Sequence, residues 1–344
     1  MSRDREDSRA KRPRVVVVDD SASLRGALTE ALEAGGCDVV GRAMDGGMAL
    51  RLVLELDPDV ITCDLEMPRM DGFTFLRIIS QQKPTPVIVV TSDVRPEAAL
   101  QALDLGARDF VVKPGGTARD LNALGPTLVA KVHALAAEKC RALTWAPVPE
   151  VEPVSECDLV VVGASTGGPS ALRDLLMGVP AGFRCPILLA QHMPARFTTA
   201  FANRLRRVTG LDVAEARTGE FLRPGIVRLA PGGHHLEVVR EGTSLSLRVG
   251  PPIAGDRYVP SVDRLFESAA RAMGRRLLGV VLTGMGRDGA EGARVLAAHG
   301  APLWTESGAT AVIEGMPSAA AEAHGKATRL PLDDLASILA RVVS

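Results

Sequence analysis

Apolar runs alternate with helical patterns from residue 14 to residue 137, and this alternation limits the first part of the chain to few folds. Arg14–Val18 is a β-branched run of the kind found in buried strands, and three leucines at helical spacing follow it. The pairing recurs four times, with further strand-like runs at Asp38–Val40, Val60–Cys63, Pro86–Val90 and Asp109–Val112. Five strand–helix pairs predict a five-stranded, doubly wound α/β domain, in which helices cover both faces of a parallel sheet.

Polar side chains follow the predicted strands, at the edge where the carboxyl ends of a parallel sheet bind ligands. They are Asp19 and Asp20 after the first strand, Asp64 after the third, Thr91 after the fourth and Lys113 after the fifth. Three carboxylates brought together repel one another unless a cation joins them, and oxygen ligands suit Mg²⁺. One carboxylate can then attack a phosphoryl group, while Lys113 neutralises the transferred charge and Thr91 hydrogen-bonds to it. Any one Asp alone would be interpreted as a helix cap or a turn residue.

The second part of the chain contains a strand-like run that ends in a glycine-rich turn. Val160–Val162 leads into Gly163–Gly168, and Pro169 suits the first position of a following helix. Such a turn lifts Ser165 above the edge of a sheet, as a nucleophile requires, although the pattern also occurs in plain strand-to-helix loops. Later runs and turns predict a mostly parallel, Rossmann-like α/β domain with a β-hairpin insertion between Ile226 and Val249.

Two interpretations of this second part compete. In the first, three residues that each follow a predicted strand supply the groups that acyl transfer needs: Ser165 the nucleophile, His192 the general base and Asp288 the orienting carboxylate. Their order along the chain differs from the Ser, Asp, His order of α/β-hydrolases. The stretch Gly284–Gly289 also fits Gly-x-Gly-x-x-Gly, with Glu306 about where a dinucleotide fold places its ribose-binding acid. Asp288 opposes the dinucleotide interpretation, because a carboxylate at a helix N-terminus repels a pyrophosphate.

Composition excludes several classes of protein. Forty Lys and Arg against 41 Asp and Glu leave a net charge of −1, so no basic field indicates a nucleic-acid partner. No apolar signal-peptide core or membrane-spanning stretch is visible, which predicts a cytoplasmic protein without membrane insertion. The five cysteines form no Cys-x-x-Cys pair, in keeping with a reducing compartment.

Length and pattern together predict two domains. A chain of 344 residues is too long for one ordinary domain. Residues 1–13 are charged and aperiodic, which predicts a disordered tail. Prolines interleaved with glutamates over residues 140–156 predict a linker. The domains are therefore expected over residues 14–139 and 157–344.

Three stretches of the first domain resemble the receiver domains of two-component systems. They are Val18–Ser21, Cys63–Pro68 with Asp71-Gly72, and Gly106–Pro114. The resemblance implies that Asp64 accepts phosphate from a histidine kinase and that Asp19, Asp20 and Asp64 hold Mg²⁺. It also implies that Thr91 and Lys113 sense the phosphoryl group.

Five stretches of the second domain are similar to the chemotaxis receptor methylesterase family of the CheB type. They are Val162–Gly168, Gln191–Pro194, Ala230–Gly233, Pro260–Asp263 and Leu282–Gly289. The resemblance implies that Ser165, His192 and Asp288 are the catalytic triad. It further implies an oxyanion hole at the backbone N–H of Met285, with Thr166 nearby. The chain departs from the family pattern at Trp304–Ser307, where many relatives carry Gln-Asp-Glu.

The two resemblances together imply a phosphorylation-activated serine hydrolase. It would demethylate γ-glutamyl methyl esters on chemoreceptors and deamidate certain receptor glutamines, with no cofactor for the esterase reaction. A histidine kinase of the chemosensory system would be the phosphodonor. Two alternatives stay open, namely a non-catalytic phosphorylation-dependent adaptor and a dinucleotide-binding enzyme that uses Gly284–Gly289.

Overall fold

The chain divides into two compact units, Met1–Arg141 and Ala142–Ser344. A computed structural model describes residues 12–92, 96–113, 118–139, 157–180 and 182–342. The predicted linker over residues 140–156 and all but the last two residues of the predicted tail lie outside these ranges. Each unit is therefore described by itself.

The first unit is a five-stranded parallel sheet with helices between its strands. The strands are β1 (Arg14–Val18), β2 (Asp38–Ala43), β3 (Val60–Cys63), β4 (Val87–Ser92) and β5 (Asp109–Lys113). The helices are α1 (Ala22–Ala34), α2 (Gly46–Leu56), α3 (Gly72–Gln82), α4 (Pro96–Asp104) and α5 (Ala118–Lys139). The strand order is β2-β1-β3-β4-β5, so both directions of crossover occur and helices cover both faces. The predicted doubly wound fold is confirmed.

Local chemistry explains where these elements lie. β3 is buried along its whole length, as expected for a strand covered on both faces. Three helices are preceded by an N-cap residue whose side chain accepts a hydrogen bond from the backbone N–H three residues further on, namely Ser21, Asp45 and Asp71.

One expectation needs correction, because Thr91 and Lys113 lie within the last residues of β4 and β5 rather than after them. Both positions remain at the carboxyl edge of the sheet.

The second unit is built on a seven-stranded parallel sheet. Its strands are β6 (Leu159–Ala164), β7 (Ile187–Gln191), β8 (Asp212–Glu215), β9 (Ile226–Leu229), β12 (Leu277–Val281), β13 (Leu303–Glu306) and β14 (Thr328–Leu330), and β10 (His235–Glu241) and β11 (Ser244–Gly250) form a separate antiparallel pair. Its helices are α6 (Gly168–Met177), α7 (Ala195–Thr209), α8 (Val262–Met273), α9 (Ala290–Ala298), α10 (Gly315–His324) and α11 (Leu332–Val342).

The predicted hairpin insertion is present, but it is shorter than expected. Ile226–Leu229 is β9, a parallel neighbour of β7 in the main sheet, and the hairpin consists of β10 and β11. Gly242, with φ +62°, takes the first position of the two-residue turn between them, a conformation that glycine adopts without strain. The mostly parallel α/β fold with a hairpin insertion is otherwise confirmed.

The strand order decides which loops meet. In the order β14-β13-β12-β6-β7-β9-β8, β6 lies at the centre with β12 on one side and β7 on the other. Ser165, the turn Gly284–Gly289 and His192 follow these three strands, so all three reach the same carboxyl edge. No helix in the described part of the chain is both long and apolar enough to cross a membrane.

Candidate active site and candidate phosphoacceptor cluster

The turn after β6 leaves Ser165 half-buried, while its neighbours on both sides are buried. The Ser165 N–H donates to the carbonyl of Thr283 at 3.0 Å, and the Gly168 N–H donates back to the carbonyl of Ser165 at 2.8 Å. Gly167 has φ +78°, and a Cβ on Gly168 would lie 2.1 Å from Oε1 of Gln191. The backbone therefore turns sharply at Gly167 and Gly168, where a larger side chain would not fit. α6 begins at Gly168, three residues after Ser165.

His192 follows β7 directly and is held against Ser165. The His192 N–H donates to the carbonyl of Ala164 at 3.1 Å, which joins the ends of β6 and β7. The buried Gln191 amide adds two further bonds, from Nε2 to the carbonyls of Ser165 at 2.9 Å and His192 at 3.1 Å. Nδ1 of His192 then lies 3.1 Å from Oγ of Ser165.

Asp288 completes the arrangement from the turn after β12. Its Oδ2 lies 2.7 Å from Nε2 of His192 and accepts the N–H of Val262 at 2.7 Å. Its Oδ1 accepts the N–H of Asp263 at 3.0 Å and the hydroxyl of Ser261 at 3.1 Å. Burial pushes the pKa of Asp288 upward, but the hydrogen bond and charge of His192 and the two N–H groups bring it below its ordinary value. Asp288 is therefore an anion in this site.

The charge of Asp288 decides the tautomer of His192. An ionised carboxylate only accepts hydrogen bonds, so the imidazole proton lies on Nε2. The lone pair of Nδ1 is left facing the hydroxyl of Ser165 and can take its proton. Serine proteases of the chymotrypsin type place the two ring nitrogens the other way round, with the same roles.

Met285 follows Gly284, a residue whose backbone lies next to Ser165. A Cβ built on Gly284, the preceding residue, would lie 2.9 Å from Cβ of Ser165. Within the described ranges no group accepts a hydrogen bond from the Met285 N–H. Thr166 is buried, and its carbonyl accepts the hydroxyl of Thr283 at 2.9 Å, which ties the serine turn to β12. The Met285 N–H is therefore a candidate donor to a developing oxyanion.

The structure does not support the dinucleotide interpretation of Gly284–Gly289. Glu306 is 2% exposed, and its Oε2 accepts the N–H of Thr283 at 2.8 Å, so the carboxylate faces the interior and not a ribose. The start of α9, where a pyrophosphate would bind, is occupied by Asp263, whose Oδ1 accepts the N–H groups of Gly289 and Gly292 at 2.8 Å each.

Two neighbours of the site, Asp263 and Tyr258, have no role that the sequence alone predicts. The ring of Tyr258 lies parallel to that of His192, with centroids 4.9 Å apart. The one available signal was that Tyr258 is the single tyrosine of the chain, close before Pro260.

The carboxylates of the first unit form a cluster at the edge of its sheet. Oxygen atoms of Asp19, Asp20 and Asp64 lie within 4.8 Å of one another. Asp19 and Asp64 are buried and Asp20 is exposed. Burial raises the pKa of both Asp19 and Asp64, and the ammonium of Lys113 counteracts that rise. Lys113 lies 3.1 Å from Oδ2 of Asp19 and directly contacts Oδ2 of Asp64, while Thr91 is buried in the adjoining strand β4.

This cluster fits a hard divalent cation. All of its donors are carboxylate oxygens, the ligands that Mg²⁺ takes in proteins. Among the residues that the structure describes, none donates a hydrogen bond to the buried Oδ2 of Asp19, although the charge of Lys113 lies beside it. Asp19, Asp20 and Asp64 are therefore able to hold Mg²⁺.

The fold and the two sites define a class, a two-unit hydrolase with a Ser–His–Asp arrangement on one unit and an acidic cluster on the other. The family model described as "CheB methylesterase" matches residues 160–339, and the one described as "Response regulator receiver domain" matches residues 15–124. The chain belongs to the CheB methylesterase family and carries a receiver domain.

Individual relatives agree with the family models over most of the chain. "Protein-glutamate methylesterase/protein-glutamine glutaminase 1" of Myxococcus xanthus is 44% identical, covering 95% of this chain and 96% of its own length. "Protein-glutamate methylesterase/protein-glutamine glutaminase 6" of Anaeromyxobacter dehalogenans is 46% identical, covering 97% and 96%. The crystal structure of the Thermotoga maritima CheB methylesterase catalytic domain is 34% identical, with a TM-score of 0.52 over 54% of this chain and 99% of that one.

Proposed function

We propose that this chain hydrolyses methyl esters of glutamate side chains on chemoreceptors, with Ser165 as nucleophile, His192 as general base and acid, and Asp288 as orienting carboxylate. The observation that carries the proposal is the continuous chain of hydrogen bonds from Oγ of Ser165 through both nitrogens of His192 to Asp288, at 3.1 and 2.7 Å. Relatives named as methylesterases and glutaminases support the choice of substrate.

The geometry supports a two-step reaction. Oγ of Ser165 attacks the ester carbonyl as Nδ1 of His192 takes the hydroxyl proton, and the Met285 N–H, with Thr166 nearby, stabilises the oxyanion. The tetrahedral intermediate then collapses: its bond to the methoxy oxygen breaks, that oxygen takes the proton from Nδ1, and methanol departs. The glutamyl group is left as an ester on Oγ of Ser165. Water, deprotonated at Nδ1, hydrolyses that ester and releases the glutamate carboxylate. A glutamine side chain reacts in the same way and releases ammonia.

The first unit supplies the regulation in this proposal. Asp64 accepts the phosphoryl group from a histidine kinase, and phosphorylation raises the esterase activity. Asp19, Asp20 and Asp64 would hold Mg²⁺, which when bound neutralises charge on the phosphoryl oxygens. Lys113 and Thr91, at the ends of adjoining strands, bind the transferred group. We propose that the receiver domain covers residues 14–139, that residues 140–156 form the linker, and that the catalytic domain covers residues 157–344. We place the protein in the cytoplasm.

Release of methanol from methylated receptor membranes tests the proposal. The wild-type chain should release methanol faster with a small phosphodonor and Mg²⁺. Ser165→Ala should lower release by about six powers of ten, to the background level. A fluorophosphonate probe should label the wild type and not the variant. Undiminished release by Ser165→Ala would refute the assigned nucleophile, whereas labelling without methanol release would refute the substrate and leave the nucleophile standing.

A further inference from the structure

The ring of Tyr258 lies against one face of the imidazole of His192, the group that is proposed to transfer the proton. Tyr258 belongs to the loop between β11 and α8, and its ring is 3° from parallel to the ring of His192, with centroids 4.9 Å apart. This is the offset-stacked geometry that aromatic rings prefer. The hydroxyl of Tyr258 makes no hydrogen bond to any residue in the described ranges, so the ring itself carries the contact.

The two hydrogen bonds of His192 are made at the edge of its ring, at Nδ1 and Nε2, and neither one contacts a face of the ring. The parallel ring of Tyr258 covers one of those faces and opposes rotation of the imidazole away from its two hydrogen-bond partners. We propose that Tyr258 is a positioning residue that holds His192 in the orientation required for proton transfer with Ser165. The inference rests on the proposed function of the triad.

The loop that carries Tyr258 is anchored by a second pair of His and Asp residues. His235 is 1% exposed, and its Nδ1 accepts the N–H of Ser261 at 3.2 Å. Its proton therefore lies on Nε2, which donates to Asp256 at 2.8 Å. Asp256 also accepts the N–H of Ile253 at 2.7 Å and binds Arg264 at 2.9 Å. Neither His235 nor Asp256 has a step in the proposed reaction, and together they fix the loop on both sides of Tyr258.

Two further contacts hold the ring of Tyr258 in place. Gly286, in the turn that carries Asp288, has no side chain, and a Cβ there would lie 2.6 Å from Oη of Tyr258. The guanidinium carbon of Arg257 lies 5.5 Å from the centroid of the same ring, within reach of a cation–π interaction. The ring is thus confined by the catalytic imidazole, the glycine turn and an adjacent cation.

Steady-state kinetics of the phosphodonor-activated full chain test this role. Tyr258→Leu removes the flat ring and should lower kcat by about ten- to a hundredfold, with KM within about twofold of the wild type. Tyr258→Phe keeps the ring and should retain kcat within about threefold. Ile253→Ala shortens a 62%-exposed side chain of the same loop and serves as the matched control. Thermal midpoints show whether each variant folds.

Two further readouts separate positioning from a structural role. The ring-proton NMR signals of His192 should lose their ring-current shift in Tyr258→Leu and keep it in Tyr258→Phe. The rate of fluorophosphonate labelling of Ser165 should fall in parallel with kcat, and it remains measurable if the ester substrate is wrong. A wild-type kcat in Tyr258→Leu, equal losses in the Leu and Phe variants, or a rise in KM alone would each overturn the inference.

Discussion

Asp263, in the first turn of α8, and Asp288, just before α9, each accept hydrogen bonds from the N-terminal N–H groups of the other one's helix. Asp288 precedes α9 and accepts the N–H groups of Val262 and Asp263 at the start of α8. Asp263 is in the first turn of α8 and accepts those of Gly289 and Gly292 at the start of α9. Helix N-termini present unpaired N–H groups and partial positive charge. The exchange therefore gives both carboxyl groups backbone N–H partners and fixes the position of the one that contacts His192.

The two carboxylates differ in protonation because their partners differ. Burial raises the pKa of Asp263 to about 7, and the charge of Asp288 adds to that rise. Asp288 has His192 as a hydrogen-bond partner, and its pKa lies below the ordinary value despite burial. The negative charge therefore resides on Asp288, where an imidazolium forms during catalysis.

Asp288→Asn should lower kcat by about three to four powers of ten, because an amide does not stabilise the imidazolium and can select the wrong tautomer of His192. Asp263→Asn should cost far less, because the amide oxygen still accepts the N–H groups of Gly289 and Gly292 and no proton passes through Asp263. Methanol release at saturating substrate, with thermal midpoints for both variants, measures this difference. Equal losses of kcat would mean that the pair acts as one carboxylate.

Glu306→Gln should remove a pH dependence of stability. Burial raises the pKa of Glu306 from 4.5 to about 7. Between these values the unfolded chain has lost a proton that the folded chain keeps, so the contribution of Glu306 to stability is fully present below pH 4.5 and is lost as the pH rises to 7. Glutamine has no proton to lose and can still accept the N–H of Thr283. The variant should therefore gain up to ~3 kcal/mol relative to the wild type across this interval.

Urea unfolding of the full chain at pH 5 and pH 8 measures that gain. Glu322→Gln, which replaces an exposed glutamate on α10, is the matched control and should follow the wild type at both pH values. Parallel curves for the wild type and Glu306→Gln would contradict the elevated pKa of Glu306.

Gly286→Ala should impair catalysis beyond its effect on folding. Gly286 has φ +94°, and the added Cβ would lie 2.6 Å from Oη of Tyr258, which must then move. Gly219→Ala is the matched control, because Gly219 has φ +81° and no atom within 4 Å of a Cβ. Both variants should lose roughly 1–2 kcal/mol of stability from backbone strain. We expect kcat to fall by about tenfold in Gly286→Ala alone. Equal kcat values in the two variants would contradict close packing of Tyr258 on this turn.

Elements with strong local patterns could be predicted from the sequence, and elements defined by their neighbours could not. The runs before Ser165 and His192 are apolar and continuous, so their strands and the edge they share were predictable. β8 has four residues, two of them acidic, and β14 has three, so neither carries a periodic signal. Ile226–Leu229 has the composition of a hairpin strand, and only its pairing with β7 shows that it belongs to the main sheet.

The same distinction applies to the site. Ser165, His192 and Asp288 each follow a strand, so strand prediction was enough to bring them to one edge. Asp263 acts on residues more than 25 positions away in the chain, through the packing of α8 on α9, and no local pattern encodes that contact. Glu306 is the last residue of β13, near the strand end where the sequence predicts it. Whether its carboxylate faces a ligand or the interior depends on the Thr283 N–H, which is paired only in the folded sheet.

Asp64→Asn should make the esterase activity insensitive to a small phosphodonor while leaving its basal rate in place. The amide has no nucleophilic oxygen to accept the phosphoryl group, whereas Ser165, His192 and Asp288 belong to the other unit. Methanol release with and without phosphodonor should give a ratio near 1 for this variant and well above 1 for the wild type. Chelation of divalent cations should reduce the wild-type ratio in the same way, since Asp19, Asp20 and Asp64 are proposed to hold Mg²⁺.

Asp71→Asn provides the matched control for Asp64→Asn. Asp71 is an exposed acid seven residues further along the chain, and its side chain accepts the Thr74 N–H at 2.7 Å as the N-cap of α3. Asparagine caps helices about as well as aspartate, so this variant removes one negative charge near the cluster without removing the phosphoacceptor. It should keep the response to phosphodonor. If Asp71→Asn lost the response as fully as Asp64→Asn, the effect would follow from local negative charge, and Asp64 would not be the phosphoacceptor.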